Sequence, residues 1–169
     1  MARAYEVALI CDIKSGLSDE VLETLAYMTR ERGYAFKASL QHDFFAEDQH
    51  QEWRNIISNI SGRNAEEHFF ESDRRSLLTS KRLCFRRTEN ELAYLEVVIP
   101  LMDWLATVSD TIGQELVGFK TDLTTIDYEL IYFAEGETIE KCTDNPDADI
   151  PQALRRGINE ALGGRGIWT

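Results

Sequence analysis

The stretch "YEVALICDI", Tyr5 to Ile13, constrains the fold more than any other part of the chain. In a strand, alternate side chains point to opposite faces. Here both alternating sets are largely apolar, so both faces must be covered. That pattern predicts a central strand, with other elements packed above and below it. The chain has 169 residues, within the ~100–200 of one domain and enough to enclose a core. No Gly/Ser-rich tract, internal repeat or low-complexity segment divides it, so residues 1–169 are expected to form a single domain.

The remaining elements follow from local signals. "SDEVLETLAYMTRERG" predicts a helix capped by Ser18, with Asp19 and Glu20 at its positive end. Leu22, Leu25 and Met28 would be its buried stripe, and Gly33 its stop. "EDQHQEWRNIISNISG" predicts a second helix, and residues 63–76 a loop. "LLTSKRLCFRR" reads as one strand. "TENELAYLEVVIPLMDWLATVS" is ambiguous: "VVI" favours a strand up to Ile99, whereas the three-and-four spacing from Leu92 to Ala106 favours a helix on both sides of Pro100. Persistence of that spacing over about five turns tips the reading to helix. "ELVGFKT", "TIDYELIYFAEG" and "TIEKC" predict neighbouring antiparallel strands, and "DIPQALRRGINEALGG" a last helix. The sum is an α+β protein: a mixed or mainly antiparallel sheet of about four to five strands with helices packed on it.

The formal charge is −12. It repels phosphate backbones and anionic lipid, so neither nucleic acid nor a membrane surface is an expected partner; a basic protein is. Arg74, Arg75, Lys81, Arg82, Arg86 and Arg87 form a basic run beside Phe85. A nucleic-acid strip would look like this, but pairing with the chain's own acids is the better reading. Cys11, Cys84 and Cys142 are odd in number and form no CxxC pair, which argues against a disulfide framework or zinc knuckle. Buried thiols in a cytoplasmic protein are expected instead. The N-terminus reads as no secretory signal, and no apolar run reaches the ~18 residues of a membrane span.

Two stretches hold the polar residues that could carry chemistry, "QHDFFAEDQHQEW" and "EEHFFE". A catalytic metal needs about three ligands, and helical histidine pairs sit at i and i+4. His42 and His50 are eight apart by number, and His68 falls in the expected loop. No metal, no cofactor and no catalytic residue is therefore expected. The alternative is a small enzyme or ligand-binding protein built on His42, Asp43, His50 and His68. The acidic run "DNPDAD" lacks the glycine and glutamate of a calcium loop and reads as a turn before a helix. Walker, dinucleotide, serine-hydrolase, zincin and kinase signatures are all missing from the sequence. Protein recognition fits these stretches better. Asp43, Glu47, Asp48, Glu66, Glu67 and Glu71 would steer a basic partner, and Phe44 and Phe69 would anchor it.

The segment "DWLATVSDTIGQELVGF…YELIYFAEG", Asp103 to Gly136, preceded by "LLTSKRLCF", resembles small acidic bacterial immunity proteins of toxin systems. The resemblance implies an acidic α+β protein that binds and blocks a basic toxin and performs no catalysis.

Overall fold

The computed structural model describes residues 3–29, 40–45, 60–61 and 73–163. Among the described residues seven antiparallel strands form one sheet: β1 (Ala4–Asp12), β2 (Ile60–Ser61), β3 (Asp73–Leu78), β4 (Arg82–Asn90), β5 (Gln114–Asp122), β6 (Tyr128–Ala134) and β7 (Glu137–Thr143). Their order across the sheet is β2-β3-β4-β1-β5-β6-β7. The α+β class holds, with six long strands and one of two residues in place of the four to five expected.

β1 occupies the centre, as its two apolar faces require. Tyr5, Val7, Leu9 and Cys11 face a large core with Leu25 and Met28 of α1 (Asp19–Thr29). Ala8 faces the other way, into a smaller core with Cys84, Phe119, Leu130 and Ile158. Ile158 belongs to α5 (Gln152–Ala161), so each face has its own helical cover.

Ser18 Oγ accepts a hydrogen bond from the Val21 N–H at 3.3 Å, capping α1 as expected. The stripe is narrower than expected, because Leu22 is 41% exposed while Thr24 takes a buried place. The Thr24 hydroxyl donates to the Glu20 carbonyl at 2.7 Å, which removes the cost of burying it.

Residues 77–87 form a hairpin, not one strand. The Thr79 hydroxyl accepts from the backbone N–H of Lys81 and of Arg82, at 3.3 and 3.0 Å, and so closes a tight turn. Residues 73–76, expected as loop, extend β3. Ile60 and Ser61, expected at the end of the second helix, pair with Arg74 and Asp73 as β2. The rest of that helix lies outside the described residues.

The ambiguous segment is helical on both sides of Pro100. Asn90 caps it, accepting from the Ala93 N–H at 2.9 Å, and α2 (Glu91–Ala93) leads into a π-helical turn (Tyr94–Val98) and α3 (Ile99–Val108). The Ile99 N–H bonds back to the Tyr94 carbonyl, the five-residue step of a π-turn. Such a turn just before Pro100 accommodates the missing N–H and the ring. It also shifts the phase of the helix. Tyr94, Val98, Leu101, Met102 and Leu105 are buried, whereas Leu92 and Leu95, both in the expected stripe, point outward.

β6 and β7 are joined by Glu135 and Gly136, with φ of 48° and 85°, the paired positive values of a type I′ hairpin. Among the described residues β7 is an edge of the sheet, and such edges invite unwanted pairing. Its first outward N–H, at Thr138, is covered by the Asp103 carboxylate of α3 at 3.3 Å. "DNPDAD" becomes α4 (Pro146–Asp149), capped by Asn145.

Candidate functional site

The expected docking residues start at a 3-10 turn, Asp43–Phe45. The Phe44 N–H donates to His42 Nδ1 at 3.1 Å, and the Phe45 N–H to the His42 carbonyl at 2.9 Å. His42 thus closes this turn. Asp43 is exposed. Phe44 is only 3% exposed and lies parallel to Trp104, with ring centroids 6.3 Å apart. Phe45 is half-buried and meets Trp104 edge-on at 4.9 Å. The expectation that Phe44 anchors a partner is therefore corrected: its apolar area is already spent on the core. Glu47, Asp48, Glu66, Glu67, Phe69 and Glu71, with His50 and His68, lie outside the described residues.

The structure brings together a group the sequence reading did not single out. β5, β6 and β7 place Lys120, Glu129 and Glu140 on one face, with Lys120 directly opposite Glu129. Lys120 Nζ is 2.7 Å from Glu129 and 3.3 Å from Glu140. It also lies over the rings of Tyr5 and Tyr94, at 4.8 and 4.6 Å from their centroids, a cation–π arrangement. The Tyr94 hydroxyl donates to Glu140, and the Tyr5 hydroxyl to Glu91 at 3.4 Å. The π-turn aims Tyr94 at this group. The available signal was a charged residue at an inward position in each of three neighbouring strands.

The charges here are interdependent. Burial alone would lower the Lys120 pKa, but the hydrogen bond to Glu129 and the two carboxylate charges outweigh it and raise it. Lys120 is held as an ammonium, not as a nucleophile. Burial and the hydrogen bond with Glu129 raise Glu140. Burial also pushes Glu129 upward, but the hydrogen bonds from Glu140 and Lys120 prevail and lower it. Two carboxyls driven apart in this way resemble an acid–base pair, yet the Lys120 ammonium engages both of them. The arrangement is an ion network sealing the edge of the core.

Glu140, raised in the fold, contributes stability below its unfolded pKa that is lost as pH rises through its folded value; Glu129, lowered, contributes stability above its unfolded pKa that is lost as pH falls through its folded value. Replacing Glu129 by Gln should destabilise the protein at neutral pH and progressively less in acid. Replacing Glu140 by Gln, which keeps an acceptor for Tyr94, should leave a variant whose stability relative to the parent improves as pH rises. Urea midpoints from about pH 3 to pH 8 measure this; parallel profiles for the two variants would refute the network.

Three basic residues of the run around β4 face acids. Arg86 meets Glu6 at 2.9 Å with both side chains buried, Arg87 meets Glu89, and Arg82 meets Asp12 at 3.0 Å in the open. The side chains of Arg74 and Arg75 are not among those described. Burial pushes the Cys11 and Cys84 thiols up to about 12, so both are unreactive near neutrality. Cys142 is exposed.

A cleft of about 690 Å³ lies at the far end of the sheet from Tyr5, lined by Asp12, Leu77, Lys81, Arg82, Asp110 and Glu160 among others. Its charges are mixed in sign and solvent-exposed, so no single ligand chemistry stands out. Among the described residues no three His, Cys, Asp or Glu are grouped to hold a metal ion, and no helix is long and apolar enough to cross a membrane. No protein-family profile, curated protein or solved structure matches the chain.

Proposed function

We propose that the chain is a non-catalytic protein that recognises a basic protein partner, as the resemblance to immunity proteins implies. The observation that supports this reading is where the cations go. Arg82, Arg86, Arg87 and Lys120 each face a carboxylate of the chain itself. Three residues of the basic run that could have formed an anion-binding strip, Arg82, Arg86 and Arg87, are drawn into internal pairs. The overall charge of −12 is then expressed toward solvent, where it accelerates encounter with a cationic protein.

The proposed contact is the acidic stretch from Asp43 to Glu71. Asp43, Glu47, Asp48, Glu66, Glu67 and Glu71 supply the steering charge, and Phe69 the apolar anchor. Phe44 is excluded because it belongs to the core. His42, on which the enzyme alternative depends, is engaged in closing its own turn.

The test is association kinetics with the basic protein that co-purifies with the chain from its host. Replacing Glu66 and Glu67 by Lys should slow association about tenfold at low salt and flatten its salt dependence. Replacing Phe69 by Ala should mainly speed dissociation. An association rate indifferent to salt and to charge reversal, or the lack of a stoichiometric basic partner, would overturn the reading.

A further inference from the structure

Of the seven large apolar side chains exposed among the described residues, four sit at one end of the sheet: Leu92 at 63%, Leu95 at 54%, Leu123 at 42% and Ile126 at 70% exposure. They flank the start of β1. The Glu91 N–H donates to the Arg3 carbonyl at 3.0 Å, and the Leu123 N–H to the Ala4 carbonyl at 2.9 Å. β4 and β5 lie on either side of β1, so these two backbone segments are about 10 Å apart, two strand spacings. Glu91, Glu96 and Asp127 are exposed around them. Arg3 lies in the field of Asp122 and Glu91. Among the described residues the exposed carboxylates of Glu91, Glu96 and Asp127 outnumber the exposed Arg3, so the rim is net acidic and its centre apolar.

Ile126 is the sharpest feature. The Asp122 carboxylate accepts from the Thr124 and Thr125 N–H groups at 2.8 and 3.3 Å, and the Ile126 N–H donates to the Asp122 carbonyl at 2.7 Å. The tight turn leaves Ile126 with φ of 62°. A β-branched residue is strained there, and glycine would not be. Its side chain recovers none of that cost from the core. Leu92 and Leu95 face outward for the separate reason that the π-turn directs Tyr94 and Val98 at the sheet.

We infer that this end of the sheet docks a basic amphipathic segment of a protein, its apolar side on Leu92, Leu95, Leu123 and Ile126 and its cations on Glu91, Glu96 and Asp127. The inference rests on the reading that the partner is a basic protein. Exposed apolar groups inside a charged rim are how interfaces combine residence with steering. The acidic rim selects a cationic protein segment over an anionic membrane surface.

The experiment is a titration of the full chain with a synthetic amphipathic helix of leucine and lysine, followed by amide chemical shifts, beside thermal unfolding. Shifts should concentrate at residues 91–96 and 122–127. Replacing Leu92 and Leu95 by Ser should weaken peptide binding about tenfold with little change in Tm, since neither side chain is buried. Replacing Ile126 by Gly should weaken binding while raising Tm, because it relieves the turn. A lysine–serine peptide of equal charge should bind more weakly than the leucine–lysine helix. Unchanged peptide affinity in both variants, shifts confined to other acidic surfaces, or stronger binding of phosphatidylglycerol vesicles than of the peptide would overturn the inference. The peptide does not require the native partner, so failure here leaves the association test above standing, and failure there leaves this outcome readable.

Discussion

Replacing Arg86 by Met is expected to destabilise the fold by about 3–5 kcal/mol. Arg86 and Glu6 lie on neighbouring strands near the centre of the sheet, with side chains only 4% and 6% exposed. The guanidinium donates to Glu6 at 2.9 Å. Removing it takes the guanidinium away from a buried carboxylate, and the loss exceeds whatever the pair contributes net. Both side chains make further contacts, so the single change disrupts more than one interaction. Replacing both residues by Met removes the buried carboxylate along with the guanidinium and should recover much of the loss, because a packed apolar pair can equal or exceed a buried ion pair. Urea unfolding of the two single variants and the double variant measures this. A cost below about 1 kcal/mol for Arg86→Met would mean that Glu6 is solvated or neutral in the fold, and the account of the central strands would be wrong.

Gly118→Ala should cost roughly 3 kcal/mol, the upper part of the range for overpacking. A Cβ built on Gly118 would lie 2.1 Å from the Ala8 carbonyl oxygen and 2.9 Å from Leu9 Cα. Both are backbone atoms of β1, the strand least free to retreat. The register between β5 and β6 shifts at this point, between Leu116 and Gly118, so the close approach is tied to an irregularity in the sheet. For a chain of this size such a loss lowers Tm by about 6–12 °C. Gly157→Ala is the internal control. Its Cβ would meet only Ile10 Cδ1, at 3.8 Å, within helix α5, so the change should be neutral or stabilising by about 0.5–1 kcal/mol. An unchanged Tm for Gly118→Ala would show that β1 and β5 can separate without penalty.

The sequence by itself determined the features that repeat over a few residues. Two apolar faces in Tyr5–Ile13 placed β1 in the middle of a sheet. The spacing from Leu92 to Ala106 favoured a helix through Pro100, and the helix is there. A turn at Gly136 between two expected strands and the helix starts at Ser18 and Pro151 were legible because a cap or turn is set by residues adjacent in the chain. The break at Thr79 was not legible: Leu77 and Leu78 before it and Leu83 to Phe85 after it read as one apolar strand, and the Thr79 hydroxyl that closes the turn resembles any other strand threonine until it bonds.

Tertiary structure alone decided the rest. The docking stretch was read from Phe44 beside Asp43, but which face a phenylalanine takes depends on whether a ring such as Trp104 waits opposite it. The outward turn of Leu92 and Leu95 depends on one five-residue step in the helix, which periodicity cannot reveal because each phase has apolar residues to bury, Leu92 and Leu95 in one and Tyr94 and Val98 in the other. The network of Lys120, Glu129, Glu140, Tyr5 and Tyr94 joins four strands and a helix far apart in sequence. Its members meet only when strand registers are fixed, and register is set by the pairing of whole strands, not by any one of them. Local pattern fixes what each segment becomes; which charges and rings face one another is fixed by contacts between segments, where burial and desolvation outweigh propensity.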